Sequence, residues 1–191
     1  MRIITLRSSY KILSVSEVQS MPNMHIQKED WGFYGHSMIK HYYNLATIKG
    51  KYENMKCNVV VDKATGLMWH QSGSDYSMTW KKAKKWIKRL NSRLHTQIGV
   101  FPPFDNAGYN DWRLPTVEEA ASLLALRGEY DGSLLIDPIF SDKQWCIWTG
   151  DEQEHKMFSE IAWSVNFGFS QVGMGPRILN DNYVRPVRSV K

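Results

Sequence analysis

The chain is predicted to fold as an α+β domain built on a mostly antiparallel sheet. Three observations carry this expectation. Strand-like and helix-like segments are segregated along the chain: a hairpin pattern, then two helical patterns, then three further strand-like segments, an order that suits α+β architecture rather than a doubly wound sheet. Residues 79–95 form a sharply amphipathic helical pattern. Eight Trp and an aromatic share of 13% in 191 residues suit a compact β-rich or mixed domain better than a helical bundle, because indole is bulky and its N–H needs a partner when buried.

Residues 1–56 differ from the rest. Ser14-x-x-Glu17 is a capping box ahead of Val18 and Met21 and predicts a short helix. Residues 22–56 are rich in Tyr, His and Lys and show no sustained period, so an irregular arm packed on the main domain (57–191) is expected. Residues 58–61 read as a strand, 62–66 (Asp-Lys-Ala-Thr-Gly) as a turn and 67–71 as the returning strand. Thr79 is a good N-cap for a helix running to about residue 95. Its apolar residues Trp80, Ala83, Trp86, Ile87, Leu90 and Leu94 fall in one third of the wheel at about 100° per residue. Lys81, Lys82, Lys84, Lys85, Lys88, Arg89 and Arg93 occupy the other side.

Residues 96–111 hold Pro102, Pro103 and Gly108 and read as a loop. Thr116-x-x-Glu119 is a second capping box preceded by Pro115. It opens a helix with Val117, Ala120, Ala121, Leu123 and Leu124 on its apolar face and Gly128 as its stop. A short apolar piece, 134–140, is broken by Pro138. Three strand-like segments close the chain: 144–149 with Trp145 and Trp148, 162–169 with Trp163, Val165 and Phe167 alternating with polar residues, and 182–190 with Tyr183, Val184 and Val187.

The length fits one domain, able to bury about 70% of its unfolded surface without a metal or disulfide staple. No run approaches about 18 uninterrupted apolar residues, so no membrane span is expected. The first 18 residues lack the apolar core and small-residue cleavage site of a signal peptide; as written the chain reads as cytoplasmic, with export or surface display left open. Cys57 and Cys146 have no metal spacing and read as buried thiols, with a disulfide open if the protein is exported. The formal charge of +5 is concentrated in one place. Residues 79–95 hold seven Lys/Arg and no acid, and the rest of the chain has 17 Lys/Arg against 19 Asp/Glu, a net −2.

Several blocks resemble one family. Asp62-Lys-Ala-Thr-Gly-Leu-Met-Trp69 followed by Thr79-Trp-Lys-Lys-Ala, then Gly108-Tyr-Asn-Asp-Trp-Arg-Leu-Pro-Thr116 with Glu119, then Trp145-Cys-Ile-Trp148, Ala162-Trp-Ser-Val-Asn-Phe167 and Tyr183-Val-Arg-Pro-Val-Arg188 resemble, in order, the Lcl C-terminal domain family over about residues 57–190. The resemblance implies a C-type-lectin-like fold: two helices packed on a twisted, mostly antiparallel sheet whose first and last strands meet. It implies structural roles for Trp69, Asp111, Trp112, Arg113, Thr116, Glu119, Trp163 and Arg185, with Arg113 paired to an acidic or carbonyl partner. It makes most of the Trp residues scaffold, Trp80, Trp145 and Trp148 included.

The same superfold hosts formylglycine-generating-enzyme-like domains, which share the Arg-Leu-Pro-Thr approach to a helix. Those oxidases depend on a cysteine pair late in the chain. No Cys follows Cys146, so the pair does not carry over, no catalytic residue is assigned and the expectation is a non-enzyme. Calcium needs six to eight hard oxygen ligands. Asn110-Asp111 and Asn180-Asp181-Asn182 are the nearest candidates, and the latter reads more simply as a turn. The six His (25, 36, 41, 70, 95 and 155) show no catalytic or metal spacing. No cofactor or metal ligand is assigned.

The functional expectation is therefore a ligand-binding domain. Residues 169–182 mix Gly, polar and large apolar residues without a core period, as an exposed binding segment on a rigid scaffold does. Some C-type-lectin-like proteins, Lcl-like members among them, are diversified by retroelements at residues near the C-terminus. On that resemblance the candidate contacts to an unknown protein or glycan are Ser164, Asn166, Phe169, Gln171, Met174, Arg177, Asn180 and Asn182. The alternative is a polyanion- or glycan-binding, adhesin-like module using the basic helix through Lys81, Lys82, Lys85, Lys88 and Arg89. Its aromatics lie on the apolar side, so single-strand nucleic-acid stacking is not expected.

Overall fold

The fold was analysed in a computed structural model, which describes residues 3–29, 32–49, 56–92, 106–154, 161–174 and 181–190. It is an α+β fold of two sheets and three helices in those residues. Sheet A has the order β1-β7-β8-β9-β3-β2 and sheet B the order β10-β6-β5-β4. The strands are β1 (Ile12–Leu13), β2 (Met24–Glu29), β3 (Gly32–Ser37), β4 (Tyr43–Lys49), β5 (Lys56–Asp62), β6 (Leu67–His70), β7 (Cys146–Gln153), β8 (Ala162–Asn166), β9 (Gln171–Met174) and β10 (Val187–Ser189). The helices are α1 (Val15–Gln19), α2 (Trp80–Asn91) and α3 (Val117–Ser122). Every strand pair is antiparallel except β1 with β7.

The locally encoded elements stand where the sequence puts them. Both capping boxes form: Ser14 with Glu17 at α1 and Thr116 with Glu119 at α3. Thr79 caps α2 by accepting from the Lys82 N–H. The β5–β6 hairpin turns on Gly66, whose φ of +68° suits a residue without Cβ. The last strand, β10, pairs with β6 of that hairpin.

Three expectations need correction. The described residues between 22 and 56 are largely strand rather than irregular: β2 and β3 extend sheet A and β4 extends sheet B beside β5. These strands sit at or near sheet margins, so their outward residues stay wet and no clean alternation marks them. Met24, Phe33 and Ile39 of this segment, with Leu6, Leu13 and Val18 before it, join Trp69, Trp163 and Val187 in one core. The second predicted helix ends at Ser122, well before Gly128. The Leu123 and Leu124 N–H groups tighten onto Ala120 and Ala121; then the Leu124 carbonyl accepts from Ser37 and the Ala125 N–H donates to Leu135, which draws the chain out of helical register. Finally, the 169–182 segment contains β9, paired with β8 and β3 and with Val172 fully buried.

Helix α3 packs on β3, β7 and β8. Helix α2 buries Trp80, Ala83 and Ile87 against Leu114, Trp148 and Val184, and Leu90 against Trp112 and Met68. Its predicted continuation through Arg93 and Leu94 lies outside the described residues. Cys57 and Cys146 are both buried, and no disulfide joins them.

Candidate ligand-binding surfaces

The sequence places much of its charge inside the fold. Arg113 grips Glu119 through two 2.6 Å hydrogen bonds, and Glu119 also accepts from the Thr116 N–H at 2.9 Å. Glu119 is fully buried, and its bond with Arg113 overcomes burial to hold the guanidinium pKa above its ordinary value. Asp151, also fully buried, accepts from both Arg7 terminal nitrogens, the Lys11 N–H and the Val117 N–H at 2.7–2.8 Å. Asp111 pairs with Arg188 at 2.7 and 3.1 Å, so this calcium candidate is an ion-pair partner. Arg185 is fully buried and donates to the carbonyls of Gln71 and Ser141, with its guanidinium 5.0 Å from the Phe140 ring centre. Burial pulls its pKa down to about 9. Trp69, Trp112 and Trp163 are buried. Trp145 differs: it is 44% exposed just before β7, although its carbonyl accepts from the Phe167 N–H.

The β8–β9 turn is the first surface. Asn166 Oδ1 accepts from the Gly168 and Phe169 N–H groups at 2.9 and 3.2 Å. Ser170, at φ +55°, donates its hydroxyl to the Gly35 carbonyl, while its own carbonyl accepts from the Gly35 N–H. Between these anchors Phe169 stands 63% exposed. The eight sequence candidates do not form one exposed set. Ser164 is buried and donates to the Gly173 carbonyl; Asn182 is buried and bridged to Met78. The Ser164 hydroxyl spans the β8–β9 pairing, and Asn182 meets Met78 through backbone bonds in both directions. Asn166 and Gln171 are half-exposed. Met174 ends β9, and Arg177 and Asn180 lie outside the described residues.

Helix α2 is the second surface. Lys81, Lys82, Lys85, Lys88 and Arg89 are all exposed, and among the described residues none forms an ion pair. Lys84 differs, with its Nζ 3.4 Å from the Trp80 ring centre.

The sequence reading missed a third place, a cavity of about 490 Å³ between the β3–β4 connection, the end of α3 and the 129–137 loop. His41 stands in its wall. Nδ1 lies 2.7 Å from Asp62 Oδ2 and Nε2 lies 2.7 Å from the Ser122 carbonyl oxygen. Burial works against the Asp62 carboxylate, but bonds from His41, Thr65 and the Ala64 N–H hold its pKa below the usual range. The partners lie 21 and 81 positions from His41, so no spacing motif signals them.

Two sheets, capped helices and internal ion pairs define an α+β scaffold. The chain belongs to the Lcl C-terminal domain family, whose sequence model matches residues 58–188. No curated protein and no solved structure matches the chain. Among the described residues no helix is long and apolar enough to cross a membrane, and no group of three or more His, Cys, Asp or Glu is placed to hold a metal ion.

Proposed function

We propose that the protein is a non-enzymatic ligand-binding domain on a C-type-lectin-like scaffold, the variable protein of a diversity-generating retroelement, with the β8–β9 turn and the residues after it as its contact surface. The observation that carries this reading is Phe169: a large aromatic ring held in solvent by a turn pinned at Asn166 and at Ser170. A ring offered by a rigid turn loses little entropy when it binds. Catalysis of the formylglycine-generating type is not part of the reading, since burial pushes the Cys146 thiol up to about 12 and a thiolate is the reactive form. The coding DNA tests the retroelement: a near-copy of the 3′ end beside a reverse transcriptase supports it, and its absence removes it. A glycan and protein array tests the surface. Phe169→Ala is expected to abolish captured binding at unchanged melting temperature; binding that survives the substitution refutes the contact surface.

A second reading rests on its own observation, the exposed cationic face of α2, which suits an anionic glycan or other polyanion. Changing Lys81, Lys82 and Lys85 to Glu is expected to lower the salt concentration at which the protein leaves a heparin column. Unchanged retention sinks this reading.

A further inference from the structure

We propose that the cavity beside His41 is a binding site for a small organic cation, a protonated amine on an aliphatic or aromatic body, seated against the carboxylates of Glu129 and Asp137. Its volume, about 490 Å³, lies in the range of small-molecule sites. Two carboxylates, Glu129 and Asp137, stand among its lining residues. Asp137 receives the Tyr130 hydroxyl at 3.1 Å on one oxygen and the Ile139 N–H at 2.8 Å on the other. Glu129 uses one oxygen to accept from the Leu126 N–H at 3.0 Å. These bonds aim both carboxylates and leave lone pairs for a further donor.

The charge balance selects the sign of the ligand. Both His41 ring nitrogens are already engaged, one with Asp62 Oδ2 and the other with the Ser122 carbonyl, which leaves neither for a ligand. Lys40 also lines the cavity and is exposed, with its Nζ directed to the Tyr42 ring at 5.8 Å from the ring centre. Glu129 and Asp137 have no cation paired to them among the described residues. Tyr130 and Tyr43 also line the cavity; both phenols are pushed up in pKa, first by burial, and Tyr43 next by Asp62 ahead of Asp137. Tyr43 lines the wall with one ring face covered by His41 at 5.1 Å and its ring perpendicular to Phe140 at 5.3 Å. A cation seated against two carboxylates gains charge-assisted hydrogen bonds.

The test is calorimetric titration of the intact chain with two matched pairs: tyramine against tyrosol, and 1,5-diaminopentane against 1,5-pentanediol. In each pair a hydroxyl replaces the ammonium on the same frame. At least one amine is expected to bind saturably, about tenfold tighter than its alcohol. The Glu129→Gln, Asp137→Asn double variant keeps acceptor oxygens for the Leu126 and Ile139 N–H groups and is expected to lose that preference. If the double variant does not fold, Glu129→Gln alone, at an exposed position, is expected to reduce it severalfold. Equal affinity for amine and alcohol, no saturable binding of either amine, or an unchanged preference in the variants overturns the proposal.

Discussion

At the scale of single residues, the buried charges set the energetics. Glu119 serves three donors at once: the two terminal nitrogens of Arg113 and the N–H of Thr116. Glu119→Ala strands a largely covered guanidinium and removes half of the capping box. The expected loss is about 3 kcal/mol or more, read by urea denaturation; a loss under about 1 kcal/mol contradicts the account. His70 makes a pH prediction. It is 1% exposed and packs 4.5 Å, edge-on, from Trp112. Burial, helped by the charge of Arg185, pulls its pKa down to about 3, against about 6.5 in the unfolded chain. Above pH 6.5 neither state holds this proton and the residue adds no pH dependence. Between about 6.5 and 3 only the unfolded state takes it up, so stability falls as pH falls, by up to about 1.4 kcal/mol per unit. His70→Gln is expected to flatten that slope in denaturation curves across this window. The capping half of the Glu119 role is written in Thr116-x-x-Glu119, but the burial of Glu119 and of His70 is not visible in local sequence, since it depends on what the fold brings next to them.

At the scale of elements, α2 combines two demands on one surface. Its first turn has no acid, although the exposed N–H groups and dipole of a helix N-terminus favour negative charge. Lys81→Glu with Lys82→Glu is therefore expected to raise stability by about 0.5 kcal/mol while weakening heparin retention. A melting temperature that rises as retention falls separates a polyanion-binding face from a merely solvated one; a raised melting temperature at unchanged retention supports the solvated face. The helix was legible because its signals are local: an N-cap at Thr79 and apolar residues every three or four positions. The end of α3 was not legible. Ser37 and Leu135 determine it through bonds to Leu124 and Ala125, and both lie outside any helical window.

At the scale of the whole molecule, the N-terminal segment is clamped to the body. Arg7 and Lys11 bond Asp151, and the Tyr10 hydroxyl donates to the Leu114 carbonyl at 2.9 Å. The Tyr10 ring lies on Gly150 so closely that a Cβ there would stand 2.1 Å from the ring. Gly150→Ala is expected to displace Tyr10, loosen the strap and speed tryptic cleavage after Arg7 and Lys11 well before global unfolding. Cleavage as slow as in the parent chain argues that the strap is held by Asp151 alone. The candidate site divides in the same way. Phe169 and the basic face of α2 were legible as surface features. The cavity was not, because its walls come from the β3–β4 connection, the end of α3 and the 129–137 loop, and Tyr43, Ser122 and Asp137 share no local pattern.

The sequence by itself determined the α+β class, the β5–β6 hairpin, both capping boxes, the amphipathic α2 and the family, because each is written in residues within a few positions of one another or in an ordered set of short blocks. Only the tertiary structure decided the strands β2, β3, β4 and β9, the length of α3, the exposure of Trp145, the burial of Ser164 and Asn182, and the cavity beside His41. A strand at a sheet margin, a helix end or a cavity wall takes its hydrogen bonds and its burial from segments far along the chain, and those partners exist only once the fold has closed.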